Sequence, residues 1–194
     1  MVRLNRIYTK TGDAGDTGLG DGERRPKFDR RIASYGTVDE TNAAIGIARL
    51  HVASENAEVD AMLARIQNDL FDLGADLCVP ERPGQTLSWT PLRVSTTQVE
   101  RLEAEIDRMN EALEPLRSFV LPGGSAGATH LHLARTVCRR AERLMVELAR
   151  TADEPVSDAA LQYINRLSDH LFVASRYLNK MGPGDVLWVP GANR

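Results

Sequence analysis

Over residues 59–77 an apolar side chain returns at every third or fourth position: Val59, Met62, Leu63, Ile66, Leu70, Leu73 and Leu77. That is the helical period, and sustained over about five turns it leaves one face that must be buried. Four more segments repeat the pattern. Ile32, Tyr35, Val38, Ile45 and Leu50 form a stripe from about Phe28 onward. Val99, Leu102, Ile106, Met109 and Leu113 follow Ser95-Thr96-Thr97-Gln98, which has capping-box spacing, and Pro115 closes that helix. Leu131, Ala134, Cys138, Ala141, Met145 and Leu148 face inward along a fourth helix ending near Arg150. Leu161, Ile164, Leu167, Leu171 and Leu178 do so along a fifth, over 156–179. No strand alternation competes with these periods. The expected fold is therefore all-α, a five-helix antiparallel bundle. At 194 residues the chain suits one domain and buries roughly 70% of its unfolded surface. The reading divides it into an N-terminal loop over 1–27, a bundle over 28–180 and a tail over 181–194.

Charge narrows the function. The net formal charge is −3 and only 5% of residues are aromatic. A dedicated nucleic-acid binder needs a large basic excess or aromatic stacking platforms, and this chain has neither. The sum hides an uneven distribution, however. Residues 1–31 carry a surplus of three positive charges, and so do residues 135–143, which leaves an acidic remainder. Two positive islands in an acidic body point to a focused anion site. Cys78 and Cys138 stand alone, without CxxC or nearby histidine spacing, and read as reduced, partly buried thiols. The N-terminus lacks an apolar leader run and no segment approaches 18 apolar residues, so a cytoplasmic protein without a membrane span is expected.

Three features do not fit a plain bundle. Arg135, Arg139 and Arg143 are four residues apart, on one helix face, where like charges repel. A solvated arginine face is one reading; the other is a bound polyanion whose oxygens match the guanidinium forks. The loop Thr9-Lys10-Thr11-Gly12-Asp13-Ala14-Gly15-Asp16-Thr17-Gly18 offers glycines, hydroxyls and a cation, with Lys27 adding another. It is neither a Walker loop nor a dinucleotide fingerprint, and taken alone it reads more readily as a flexible terminus. Asp39-Glu40 sits in mid-helix, where Asp39 needs a partner, either a helix-four arginine of the same chain or one across a subunit contact.

Four blocks share a further property. YTKTGDAGDTGLGDGERRPK, ASYGTVDETNAAIG, FVLPGGSAGATHLHLARTVCRRAERL and YINRLSDHLF, in this order over roughly residues 8–180, resemble the signatures of PduO-type corrinoid adenosyltransferases. The resemblance implies a five-helix bundle assembling as a homotrimer with ATP at each subunit interface. Thr9, Lys10, Thr11, Gly12, Thr17, Gly18 and Lys27 would fold over the ATP. Arg139, Arg140, Ala141, Glu142, Arg143 and Asn165 would complete the nucleotide site, with Arg139 contacting the triphosphate. Asp39 and Arg135 match the pair that forms an intersubunit salt bridge. Phe119 matches the aromatic residue that closes the lower face of the corrinoid. One departure is Thr41-Asn42, where a Leu-Asn pair is usual.

The activity so implied transfers the 5′-deoxyadenosyl group of ATP to cob(I)alamin, with triphosphate leaving. Cobalt brings the nucleophile, so the protein needs no Ser-His or Cys-His device. Its task is to hold C5′ over cobalt and to stabilise charge on the triphosphate, with Mg²⁺ on the phosphates. An apolar Phe119 would ease reduction of Co(II) by excluding a lower axial ligand; without the resemblance it reads as a cap on the core beside Pro122. His130, His132 and His170 are assigned packing or surface roles, because a histidine ligand would oppose that reduction. A reductase and an adenosylcobalamin-dependent client enzyme are the implied partners. The rival readings are a non-catalytic ATP-responsive bundle that delivers adenosylcobalamin, and a plain structural bundle that leaves both positive islands unexplained.

Overall fold

The computed structural model describes residues 7–84 and 86–194. Arg3 and Arg6 of the N-terminal island, the reading that the first six residues contain no leader, and Gln85 of the 80–91 connection lie outside the described residues. Five helices carry the fold: α1 Arg30–Glu55, α2 Ala57–Cys78, α3 Thr96–Asn110, α4 Ala126–Ala149 and α5 Asp158–Leu178.

Each starts where a polar side chain meets open backbone donors. Asp29 accepts from the Arg31 N–H at 2.8 Å, and Ser125 and Ser157 accept from the Ala128 and Ala160 N–H groups. At α3 the expected box is present, with Gln98 Oε1 accepting from the Ser95 N–H at 2.9 Å. That helix ends at Asn110, five residues before Pro115, so Leu113 packs from a following turn.

Side-chain ties fix the directions. Glu55 accepts from the Gly127 N–H at one end of the α1–α4 pair, and Arg30 meets Glu147 at the other. Arg49–Asp60 and the bond from Arg31 to the Leu77 carbonyl span α1 and α2 in the same antiparallel sense. His132–Ser175 and Asn165–Glu142 do so for α4 and α5. The pair α3 and α5 runs parallel, through Glu103–Arg166 and Glu105–His170. Direction alternates along the chain, so two odd-numbered helices that touch must be parallel.

The predicted stripes of α2 and α4 are buried throughout, joined in one core by Tyr163, Ile164, Leu167 and Leu171 of α5. In α1 the stripe differs from expectation. Leu50 is 77% exposed, and Ala44, Ala48 and Val52 bury that stretch instead.

The absence of strands is also corrected. Two short antiparallel pairs occur: β1 Asp16–Gly18 with β2 Arg24–Pro26, and β3 Val120–Leu121 with β4 Val186–Leu187. Both lie at the bundle's margins, where backbone outside the helices pairs with itself.

Arg31 is a buried tie between distant segments. At 1% exposure it donates to Glu154 Oε2 at 2.8 Å and to the Leu77 and Pro155 carbonyls at 2.9 Å. These bonds join the start of α1, the end of α2 and the turn before α5.

Candidate functional site

Phe119 stands at the mouth of a cavity of about 420 Å³ shared with Leu116, Ser118, Val120, Arg135 and Phe172. It is not a core cap, since its ring is 77% exposed. Its backbone is held from outside the bundle. The Trp188 N–H donates to the Phe119 carbonyl at 2.8 Å, and Ser118 Oγ donates to the Trp188 carbonyl at 2.6 Å. The Phe119 and Trp188 rings lie 6.0 Å apart at 58°.

Arg135 enters this cavity from α4. Its guanidinium lies 5.9 Å from the Phe172 ring centre, and its buried Nε has no hydrogen-bond partner. Burial, then the neighbouring Arg139, lowers its pKa from the ordinary guanidinium value, yet arginine remains protonated. A half-buried cation so placed favours an anion arriving from outside.

The rest of the arginine row faces outward. Arg139 and Arg143 are exposed, and Arg143 donates to the Arg139 carbonyl at 3.1 Å. Asn165 of α5 lies across from them and donates to Glu142 Oε1 at 2.8 Å. Arg140 is paired with Glu40 of α1 within the chain, and Ala141 is buried in the core. So Glu40, not Asp39, takes the helix-four arginine. Asp39 is exposed, and among the described residues neither it nor Arg135 makes an ion pair. Asp39 lines a separate groove of about 470 Å³ between α1 and α2, with Tyr35, Asn42, Phe71 and Cys78.

The N-terminal loop is an ordered turn system. The Gly15 N–H donates to the Gly12 carbonyl, and the Lys27 N–H to the Gly15 carbonyl at 2.8 Å. Lys10 adopts a left-handed backbone with φ 63°, and the Thr9 and Thr11 hydroxyls meet at 2.9 Å. A Cβ built on Gly12 would lie 3.2 Å from both Lys27 Nζ and the Asp16 carbonyl oxygen, so this glycine lets the ammonium lie over the backbone. Thr17 pairs with Arg25 in the hairpin, and the space around Gly18 is open. The loop is moored at Gly20, whose N–H donates to the Cys78 carbonyl at 2.9 Å. No hydrogen bond or ion pair among the described residues joins residues 9–18 to Arg139, Arg143 or Asn165.

A cavity of about 680 Å³ beside the α4–α5 turn also contains arginines, but each is already in an ion pair, although the buried Arg82 Nε has no partner of its own. Arg25 is paired with Glu23, Asp29 and Glu154, and Arg82 with Glu23. The histidines each have a neighbour within the chain. His130 stacks on His51 at 4.9 Å, His132 meets Ser175, and His170 meets Glu105. Phe172, Leu116 and Trp188 escaped the sequence reading. The available signal for the last was the apolar run Val186-Leu187-Trp188-Val189 after a glycine-rich turn.

Comparisons with known proteins bear on this arrangement. The family model for cobalamin adenosyltransferase matches residues 7–178. The corrinoid adenosyltransferase of Mycobacterium tuberculosis is 48% identical over all of this chain and 97% of its own length. The cobalamin adenosyltransferase of Cupriavidus metallidurans is 50% identical over 96% of this chain and 95% of its own. A variant PduO-type ATP:corrinoid adenosyltransferase from Lactobacillus reuteri, complexed with cobalamin and ATP, superposes with a TM-score of 0.83 at 37% identity, covering 94% of this chain and 99% of that one. A helical bundle with outward cations and an aromatic cavity, matched along its length by such proteins, is an enzyme of the adenosyl-transferring class. Within that class, the chain belongs to the cobalamin adenosyltransferase family.

Proposed function

We propose that this chain transfers the 5′-deoxyadenosyl group of ATP to cob(I)alamin, giving adenosylcobalamin and triphosphate. The observation that carries the site assignment is the shared cavity of Phe119, Arg135 and Phe172, one helical turn from the exposed Arg139. Cobalt attacks C5′, the Co–C bond forms, and the C5′–O bond breaks toward the triphosphate. Arg139, Arg143 and Asn165 hold the triphosphate and offset charge growing on it. Thr9, Lys10, Thr11, Gly12, Thr17, Gly18 and Lys27 close over the nucleotide with hydroxyls, ammonium groups and backbone donors. Arg140 and Glu142 support that surface through Glu40 and Asn165, while Ala141 anchors the helix between them. Phe119 excludes water and a lower ligand from the corrinoid, which eases reduction of Co(II).

Among the described residues the loop and the arginine row share no hydrogen bond or ion pair within the chain, and Asp39 and Arg135 are not paired with each other. Both facts support a site shared between copies, and we assign a homotrimer in which Asp39 of one copy meets Arg135 of the next. Mg²⁺ rides on the phosphates: no group of three or more His, Cys, Asp or Glu among the described residues could hold a metal, a donor set that fits an ion held through ATP. No helix among the described residues is long and apolar enough to cross a membrane. Burial raises the pKa of both Cys78 and Cys138, which keeps them as thiols; we place the protein in the cytoplasm, with electrons from a separate reductase and the product passing to a client enzyme. The whole chain works as one domain, from the nucleotide loop over 1–27 through the bundle to the tail.

The test is incubation with ATP, Mg²⁺ and chemically reduced cobalamin while following absorbance. Growth of the Co–C product spectrum is expected; its absence with pre-reduced cobalamin rejects the activity.

A further inference from the structure

The strand pair next to Phe119 is nearly free of the core. Val120 is half-buried, whereas Leu121, Val186, Leu187 and Trp188 are exposed by 42–47%. Apolar burial does little to fix its position. A two-stranded ribbon of this length is not stable by itself. Something else must hold it against α4.

That hold lies one residue before β4. Asp185 is a buried carboxylate, 2% exposed in its side chain, with both oxygens engaged. Oδ2 accepts from Arg176 Nε at 2.8 Å, and Oδ1 accepts from Asn179 Nδ2 at 3.1 Å. Arg176, also buried, donates onward to the Glu114 carbonyl at 2.9 Å. Asn179, 3% exposed, donates to the Gly123 carbonyl at 3.2 Å and accepts from the Ser125 N–H at 3.0 Å.

Glycines make room for this cluster. A Cβ on Gly124, where φ is 103°, would fall 2.1 Å from Asn179 Oδ1, and one on Gly184 would fall 2.8 Å from the Asn179 carbonyl oxygen. The cluster thus joins the end of α5, the segment that follows α3 at Glu114, the N-cap of α4 and the start of β4. From Asp185 the path to the cavity is short: Val186 and Leu187 pair with Leu121 and Val120, and Trp188 then bonds to the Phe119 backbone.

We infer that Asp185 is a positioning residue for the adenosyl-transfer site, acting with Arg176 and Asn179 through β4 to hold Phe119 and Trp188 over the cavity. This rests on the role given above to Phe119. An ion pair suits the task better than an apolar contact, because its geometry is directional and a misplaced buried charge is costly. The catalytic contact remains with Phe119; Asp185 touches no substrate.

The experiment compares wild type with Asp185→Asn, Phe119→Ala and, as a control for general loosening, Glu105→Gln, which alters a similarly buried carboxylate in the Arg65–His170 cluster. Two quantities are read in each full-length protein. The first is amide hydrogen exchange over residues 118–121 and 186–189. The second is the ratio of turnover starting from cob(II)alamin with reductant to turnover from pre-reduced cob(I)alamin. Asp185→Asn is expected to speed exchange in both segments and to lower the ratio by roughly fivefold, as weakening a charged hydrogen bond implies. Glu105→Gln should leave both readouts unchanged. Unaltered exchange in Asp185→Asn overturns the inference whatever the turnover does. An unaltered ratio there, while Phe119→Ala lowers it, overturns it too. If Phe119→Ala itself leaves the ratio unchanged, the role of Phe119 falls, and faster exchange in Asp185→Asn still upholds the clamp on the β3–β4 pair. Should Asp185→Asn not fold, Arg176→Lys carries the same test, with smaller shifts in the same directions expected and none counting against it.

Discussion

Arg135 and Arg139 stand one turn apart on α4 yet meet different surroundings. Arg135 is drawn under Phe172 with a buried, unpartnered Nε, while Arg139 projects into solvent. A four-residue spacing identifies the shared face but cannot say which member the core takes in. Arg139 is free to meet the triphosphate, so Arg139→Ala should cost about 2 kcal/mol of transition-state binding, a drop of about thirtyfold in kcat/KM for ATP. Steady-state kinetics with ATP varied checks this, and unchanged values reject the contact. His132 yields a second prediction. Burial, with Arg135 nearby, lowers its pKa from the ordinary 6.5, only partly opposed by Asp185. Well above pH 6.5 it is neutral in both folded and unfolded chains and adds no pH dependence. As pH falls below that value the unfolded chain gains a proton that the folded one refuses, so stability is lost, at most about 1.4 kcal/mol per pH unit. Denaturant midpoints from pH 7 to pH 5 should fall less steeply in His132→Asn than in wild type; equal slopes would remove His132 as the cause. Glu105 acts in a lower window. Burial works to raise its pKa, but His170 and Arg65 prevail and hold it below the usual 4.5, so its contribution is lost only as pH falls below that value.

At the level of elements, legibility in the sequence follows the range of the interactions involved. α2 was readable because its period repeats over many turns and each apolar side chain finds the same core. The α3 box was readable because Ser95 and Gln98 are three apart in sequence. β4 was not readable, since its two residues are strand only through partners more than 60 positions away. Leu50 departs from the expected stripe because this stretch of α1 is buried through Ala44, Ala48 and Val52, and leucine falls outside that face. The junction of α1 and α2 is a local device open to test. Asn56 ends one helix and starts the next, its side chain accepting from the Glu58 and Val59 N–H groups at 3.0 Å. Asn56→Ala should destabilise the fold by about 1 kcal/mol, read as a lower denaturant midpoint with unchanged slope. No change would mean that water replaces the cap fully.

For the whole molecule, the two positive islands are legible as charge, but whether they face one site is not. Within one chain the loop is moored to the end of α2 and the arginine row lies along α4, without a hydrogen bond or ion pair between them among the described residues. Asp39 was expected to need a partner, and its neighbour Glu40 is the one that finds an arginine inside the chain. A site completed between copies makes a specific prediction. Asp39→Asn and Arg139→Ala should each be impaired alone, yet mixed assemblies of the two should regain activity at interfaces where both residues are native. Recovery of about a quarter of wild-type turnover is expected if copies mix at random. No recovery in assemblies shown to be mixed by native mass spectrometry would place both residues in one copy's site.

The tie made by Arg31 also has a meaning in time. On the ribosome this arginine emerges long before the acceptors it needs, the Pro155 carbonyl lying 124 positions later. At cellular elongation rates that is a wait on the order of ten seconds. Through that interval only the Leu77 carbonyl, at the end of α2, is on hand, and the bonds to Glu154 and Pro155 wait for the turn before α5. The start of α1 is therefore fastened to the second half of the chain only once that turn has been made.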